Sequence, residues 1–595
     1  MVAAMVTVGH NDCLPNLLQD NASRFPDDIG YSRLEGTNWR DVSHGEFLNE
    51  VNALAKGLIA RGIASGDRVA LMSRTRYEWT LLDFAIWTAG AVVVPIYDSS
   101  AADQARWILR DAGVVAAIGE TPRTLRVLSD ASDGLPCAGA LWCITDGDLE
   151  SIARDGQSIT DDQLEQRRRT MHADSLATII YTSGTTGAPK GCELTHENFL
   201  ANARNCIAAL PDVVGVPGAS TLLFLPLAHV FARLIEVLCV AARVRLAHTA
   251  TTTDLAGKLA SFRPTFLLAV PRVFEKLYTA AESKASASGR GAIFARASEV
   301  AIAYSQGLDA GRVPAGIRAQ HAVFEPLVYR KIRESLGGQI AWAVSGGAPL
   351  GERLGHFFRG IGITVLEGYG LTETTAASTV NTPTQLRIGT VGPPVPGCTV
   401  RIAADGEVLL KGPQVFRSYR TEDGTETARD DAGWYATGDL GTLDDGFLRI
   451  TGRKKEILVT AGGKNVAPAP LEIALTAHPL VAQAILIGDA RPFIAALIFL
   501  DIEELAAWRA RRGEPFADSP ERAITAAADD PAIRLEIQGV VDRINAGIST
   551  AEAIRRFAIV PAVLSEESGH LTPKQSVKRH RVAADFADQI DALYR

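Results

Sequence analysis

Short apolar runs alternating with helical stretches predict an α/β protein. It should have a large amino-terminal body of mostly parallel sheets flanked by helices, a small β-rich subdomain, and a smaller, mobile α+β carboxyl-terminal domain. Three observations carry that expectation. From about residue 65 to 375 the runs DRVALMS, AVVVPIY, GVVAAIG, LWCIT, TIIYTS, TLLFLPL, TFLLAV and IAWAVSGG read as strands, while RYEWTLLDFAIWTAG and ADQARWILRDAG carry apolar residues at helical spacing. Around 398–420 two alternating runs flank Asp405-Gly406, a hairpin signal. After TGRKKEILVTAGGKN a smaller unit begins, with VAQAILIGDARPFIAALIFLD and the amphipathic IRLEIQGVVDRINAGI. The expected boundaries are 1–452 for the body, 453–457 for a hinge and 458–595 for the carboxyl-terminal domain.

The chain of 595 residues is too long for one ordinary domain. Its 47% apolar and 22% charged residues are globular proportions, and a net charge of −8 with pI near 5.9 argues against nucleic acid as a partner. Seven scattered cysteines with no CxxC pair fit reduced thiols in a cytoplasm. Cys192 has no visible base beside it and reads as a small buried residue. The amino terminus lacks a basic start and a sustained apolar core, and no uninterrupted apolar run of membrane-spanning length follows. A soluble cytoplasmic protein is therefore expected. Basic stretches at 167–169 and 578–581 leave peripheral contact with lipid headgroups open, with solvated faces the alternative.

The stretch YTSGTTGAPKG, residues 181–191, concentrates glycines, hydroxyls and one lysine after the apolar run LATIIYTS. Glycines let groups approach the amides, short hydroxyls donate, and Lys190 adds a mobile point charge. A generic cluster of this kind is a surface turn. Its place after a buried strand favours a loop that holds a polyanion such as a triphosphate. It is not the common P-loop, because Ala188 and Pro189 separate Gly187 from Lys190, and Gly191 follows the lysine.

Further segments add to it. SGGAPL offers Gly346 and Gly347 as bare backbone for a planar base, and LEGYGLTETT offers Tyr369 as a stacking face. Glu373 supplies a hard oxygen for Mg²⁺. The same stretch also reads as a tight turn before a helix capped by Thr372. In YATGDLG, Asp439 has two oxygens suited to a ribose diol, and Arg453 stands beside a basic, glycine-rich turn. A lone Asp or Arg of this kind is also met as a cap or a surface pair.

In order, YTSGTTGAPKG, LPLAHVFAR, SGGAPL, EGYGLTETT, YATGDLG, TGRKKEIL and LTPKQSVKR resemble the adenylate-forming superfamily of acyl-CoA synthetases, luciferase and peptide-synthetase adenylation domains, over roughly residues 30–590. LPLAHVFAR, AVPRVFEKLY and LTPKQSVKR look most like its long-chain fatty acid–CoA ligase branch. The resemblance implies that a fatty acid and ATP form an acyl-adenylate, and that coenzyme A then takes the acyl group, with Mg²⁺ assisting. It implies Thr182, Ser183, Gly184, Thr185, Thr186 and Lys190 around the β- and γ-phosphates, with Thr182 also near the metal. Gly346, Gly347 and Ala348 would lie along adenine, Tyr369 would stack on it, and Glu367, Gly368 and Gly370 would border it. Thr372 and Glu373 would meet the α-phosphate and Mg²⁺, and Asp439 and Arg453 the ribose. His229 would line the acyl channel near the carboxylate. Arg233, four residues later, would pair with an acidic group or the nucleotide and help shut that channel. Lys455 matches the interdomain hinge, and Gly462 and Gly463 would give the pantetheine arm a bare backbone. Lys578 matches the mobile catalytic lysine; Val577 stands where a glycine is usual, which leaves Lys574 as a rival.

Overall fold

The computed structural model describes residues 6–595 apart from 183–188, 252–253, 422–423, 517–518, 551 and 573–576. Its largest sheet has eight strands, ordered Gly424–Glu426, Ser418–Thr421, Lys190–Thr195, Leu176–Thr182, Val92–Ile96, Arg68–Met72, Val114–Gly119 and Leu141–Cys143. The last five run parallel. Val92–Ile96 is buried at every position, as expected of a strand covered on both faces. The first three join antiparallel, an extension the alternating pattern does not announce. Its cause is local. Thr182 faces Lys190 across the sheet, and the short loop between them is too brief for a parallel crossover, which needs a dozen residues or more.

Two further sheets complete the α/β body. One has the order Asn38–Ser43, Ile29–Glu35, Arg245–His248, Ser220–Leu223; the other Phe266–Ala269, Trp342–Ser345, Thr364–Tyr369, Thr379–Val380. The β-rich subdomain is the antiparallel sheet of Thr399–Ile402, Glu407–Lys411, Tyr435–Asp444 and Phe447–Arg453. Gly406 takes φ +85° at the turn that the Asp405-Gly406 pair predicts. The helix Tyr77–Thr88 is buried at every residue but Glu78, because its sequence is apolar nearly all round. It nevertheless carries Asp83, a charge the core has to neutralise.

The carboxyl-terminal unit is built on the strands Val481–Ile487, Ile494–Leu500 and Ile554–Val560. Ile494, Ala496, Ile498 and Leu500 face one apolar cluster, and Ala495, Leu497 and Phe499 face another, the period of two a strand imposes. Arg272 Nη2 reaches Asp501 Oδ2 at 2.9 Å and ties this unit to the body helix Pro271–Ala287. The chain joining the two units runs through the end of Phe447–Arg453 and the 3₁₀ turn Lys454–Glu456. All seven cysteines are buried and unpaired. No helix among the described residues is long and apolar enough to cross a membrane.

Candidate active site

The glycine-rich stretch is the hairpin between Leu176–Thr182 and Lys190–Thr195. Ser183, Gly184, Thr185 and Thr186 lie outside the described residues. Its two ends are defined: Thr182 pairs with Lys190 across the sheet. Lys190 Nζ sits 5.1 Å above the Tyr419 ring and 3.9 Å from Glu426 Oε2, with the side chain 55% exposed. A half-exposed ammonium over an aromatic face is free to turn to an anion.

Glu373 is in the 3₁₀ turn Thr372–Thr374, right after the strand Thr364–Tyr369. Its Oε1 accepts from Tyr419 Oη at 2.7 Å, and Tyr419 Oη lies 3.3 Å from Tyr435 Oη. Burial and the nearby Glu373 carboxylate push both phenols above their usual range, so they remain donors. The buried Cys192 also neighbours Glu373 and Thr182, and burial raises its thiol well above the ordinary value, which suits packing rather than nucleophilic attack. The hydroxyl that caps this turn is Thr374, which accepts from Leu371 N at 2.9 Å, and not Thr372. The register explains the difference: the turn begins one residue after Leu371, which puts Thr374 at the position facing the free amide. Around the turn the backbone is strained. Thr375 and Ala376 take φ +50° and +72°, and a Cβ on Gly370 would stand 1.2 Å from Ala376 O. Only glycine admits that crossing.

Asp439 and Arg453 face each other across the strands Tyr435–Asp444 and Phe447–Arg453. Arg453 Nε meets Asp439 Oδ1 at 2.8 Å, and Tyr369 Oη donates to Asp439 Oδ2 at 2.6 Å. Asp439 is buried while the Arg453 side chain is 50% exposed, so the pair opens to solvent on one side. Burial, then the Asp439 charge, hold the Tyr369 hydroxyl well above its usual range and keep it a donor. Glu367 is buried and accepts from Leu350 N at 2.9 Å, which fastens the loop carrying Gly346, Gly347 and Ala348 to the neighbouring strand. Burial raises its carboxyl above the ordinary value. Gly347 takes φ +83°, and Gly347 and Ala348 are exposed. A Cβ on Gly346 would press 3.3 Å from the Phe231 ring, and one on Gly368 would stand 3.0 Å from Thr379 O.

Phe231 brings in the segment that carries His229 and Arg233. His229 caps the helix Val230–Ala242, its Nδ1 accepting from Phe231 N at 3.2 Å. One turn on, Arg233 is 0% exposed. Its Nε and Nη2 donate to Asp83 Oδ2 at 3.0 and 2.7 Å, and its Nη1 donates to Thr178 Oγ1 at 2.6 Å. The acidic partner of Arg233 is thus Asp83 on the buried helix.

In the carboxyl-terminal unit Lys455 is exposed in the 3₁₀ turn Lys454–Glu456. Gly463 takes φ +77°; Gly462 and Gly463 are exposed, with nothing close to an added Cβ on Gly463. Lys578 precedes the helix Arg579–Asp585, half-buried, and its N–H donates to His570 O at 2.8 Å. Lys574 lies outside the described residues. The same segment faces the body through Glu566, which lies near enough to Tyr97 and Asp98 to add to the rise that burial causes in both. Sequence reasoning missed Tyr419 and Tyr435. The signal was present in part, since Tyr435 opens the YATGDLG segment and Tyr419 is the tyrosine of FRSY.

Comparison with known proteins places these features in one group. The family described as AMP-binding enzyme matches residues 18–420, and its C-terminal domain family matches 455–595. The chain is 46% identical to long-chain-fatty-acid–CoA ligase FadD15 of Mycobacterium bovis, over 100% of this chain and 99% of that one. It is 30% identical to the peroxisomal long chain acyl-CoA synthetase 7 of Arabidopsis thaliana, over 93% of this chain and 81% of that one. The fold is shared with the A-PCP didomain of carboxylic acid reductase from Segniliparus rugosus in complex with AMP, at TM-score 0.73 and 21% identity, over 99% and 82% of the two chains. Through a match that takes in the glycine-rich stretch, the Glu373 turn and the loop of Gly346, Gly347 and Ala348 together, the chain belongs to the AMP-binding enzyme family.

Proposed function

We propose that this chain is a long-chain fatty acid–CoA ligase. ATP activates the fatty acid as an acyl-adenylate with loss of pyrophosphate, and the thiol of coenzyme A then takes the acyl group and releases AMP. The observation that carries this reading is the pairing of two clusters. Glu373, Tyr419, Lys190 and Thr182 form one; Tyr369, Asp439 and Arg453 form the other; Tyr435 stands between them at the head of the strand that bears Asp439. A nucleoside triphosphate needs both, an anion cradle and a diol acceptor. The identity to FadD15 along the whole chain supports a fatty acid as the substrate.

Each residue then has a task. Asp439 accepts from the ribose hydroxyls while Arg453 holds its charge. The exposed backbone at Gly347 and Ala348 takes the face of the base. Lys190 turns from Tyr419 to the outer phosphates. Glu373 keeps Oε2 for a cation, since Tyr419 engages Oε1. That donor set fits Mg²⁺, which takes one or two carboxylates and fills its shell with phosphate oxygens and water. Bound there, the ion would neutralise charge on the α-phosphate region during attack by the carboxylate. His229, with Nδ1 accepting a backbone hydrogen, carries its ring proton on Nε2 and would offer it to the fatty acid carboxylate. Lys578 supplies an ammonium from the second unit and is withdrawn when that unit rotates for the thiol step.

Pyrophosphate release with a panel of fatty, aryl and carrier-linked acids, with and without coenzyme A, tests the reading. Long-chain acids should support release alone and thioester formation with coenzyme A. No release with any fatty acid would overturn it. In the same assay Lys578→Ala should slow adenylate formation by about 10²–10³. It should leave the conversion of supplied acyl-adenylate near wild type.

A further inference from the structure

A cavity of about 410 Å³ opens on the body and shares no residue with the candidate active site. It lies at the carboxyl ends of Arg68–Met72, Val114–Gly119 and Arg245–His248, the side on which α/β sheets take ligands. Four cations line it, Arg33, Arg74, Arg76 and Lys258, against two carboxylates, Glu78 and Glu120. Glu120 is 3% exposed and receives Arg74 Nη2 at 2.6 Å and Arg76 Nη1 at 3.5 Å. Glu78 receives Arg76 Nε at 2.7 Å and Arg33 Nη2 at 3.5 Å. Two acids thus fix three guanidinium planes. A guanidinium has five donors, so each plane keeps hydrogens beyond those bonds. Glu35 also approaches Arg33, at 3.4 Å on its exposed side.

Lys258 is held differently. Its Nζ donates to Thr249 Oγ1 at 2.8 Å, and no carboxylate among the described residues pairs with it. The buried His248 also lines the cavity: Nε2 shares a hydrogen bond with Thr80 Oγ1 at 2.8 Å, while Nδ1 has no partner. Positive charge in excess, on planes already oriented, is the recognition chemistry of a phosphate group.

The cavity also touches the reacting region from two sides. Thr75 lines it, and its Oγ1 donates to Leu225 O at 2.6 Å and accepts from Leu227 N at 3.2 Å, in the loop that ends at His229. Asp98, near Arg74 and Glu120, also feels Glu566 of the carboxyl-terminal unit. We propose that this cavity binds a phosphate group, and that its ligand on the reaction path is the phosphorylated nucleotide end of coenzyme A. The second half of that statement rests on the ligase reading; the first does not.

The test uses the full chain and the variants Lys258→Gln and Arg33→Gln. In one arm, transfer from supplied acyl-adenylate is measured with coenzyme A, dephospho-coenzyme A and pantetheine. In the other, ³¹P line broadening reports binding of inorganic phosphate. Removing one charged donor should raise the KM for coenzyme A about tenfold and leave that for pantetheine where it was. Dephospho-coenzyme A on the wild type shows whether the 3′-phosphate or the diphosphate is held. An unmoved coenzyme A KM together with lost phosphate broadening would still establish the phosphate site and make free phosphate its ligand. Unchanged KM and unchanged broadening in both folded variants would overturn the proposal, as would equal losses with coenzyme A and pantetheine. The ³¹P arm needs no turnover, so a failed ligase reading and a failed phosphate site are told apart.

Discussion

Two arginine–aspartate pairs in this molecule have almost the same contact distance and opposite surroundings. Arg233 and Asp83 meet at 2.7 Å with both side chains 0% exposed, and Trp87 lies under the guanidinium at 5.4 Å. Arg453 and Asp439 meet at 2.8 Å with the arginine 50% exposed. The first pair cannot exchange partners, because water does not reach it. The second can, because one face of the arginine is already hydrated. The difference assigns them different work. Arg233 ties the helix that His229 caps to Asp83 and to Thr178, on the strand that leads to the glycine-rich stretch. Arg453 and Asp439, the pair proposed to receive the ribose, open to solvent without breaking the core.

The sharpest way to break the comparison is to remove each arginine. Arg233→Met leaves Asp83 buried without a counter-ion and should cost about 3–5 kcal/mol of stability, read as a lowered urea midpoint. Adding Asp83→Leu should return most of that loss, because an apolar pair of similar volume replaces a buried ion pair at little cost. A double variant as unstable as the single would show that Thr178 and Trp87, and not charge, account for the effect. In Arg453→Gln the Tyr369 hydrogen bond to Asp439 remains. Its stability should change by less than about 1 kcal/mol, while the KM for ATP rises about tenfold as one charge-assisted contact is lost. An unchanged ATP KM would make Arg453 a strand-pairing residue only.

The elements that sequence disclosed were those with a local cause. The apolar runs at 68–72, 92–96 and 114–119 pair as parallel strands, because burial on both faces leaves an apolar mark at nearly every position. Asp405-Gly406 makes its hairpin through one positive φ. The glycine-rich stretch was recognisable as the end of a buried strand, yet the antiparallel pairing of the strands on either side of it rests on a spacing that composition does not display. Contacts between distant residues were out of reach. Arg233 and Asp83 are 150 residues apart and Tyr419 and Glu373 are 46 apart, so no periodicity links them. An acidic partner for Arg233 follows from the cost of burying a charge; which acid, and that it lies on a helix buried almost throughout, follows only from the fold.

The remaining prediction concerns Glu236, which sharpens the buried half of the comparison. Glu236 is 0% exposed, and neither carboxyl oxygen has a hydrogen-bond partner. Burial, and then the Asp83 charge, raise its carboxyl well above the ordinary value of 4.5; Arg233 opposes the rise, and Tyr31, Thr80 and Cys239 also face it. Burial raises the Asp83 carboxyl as well, so the two acids and Arg233 titrate as one buried group in which the proton is favoured on Glu236. An acid whose folded pKa lies above its unfolded value favours folding while protonated. Its contribution is complete below the unfolded value and is lost as pH climbs toward the folded one, at up to about 1.4 kcal/mol per pH unit. Glu236→Gln keeps the shape and removes the proton. The variant and the wild type should unfold at similar urea concentrations near about pH 5, and the variant should gain steadily as pH rises to about 8. The sign is the reverse of that for a salt-bridged surface carboxylate, which stabilises more as it ionises. A gap that stays constant across this range would mean that Glu236 is ionised in the fold. Arg233 would then balance two carboxylates, and Arg233→Met would have to cost more than the single-pair figure above.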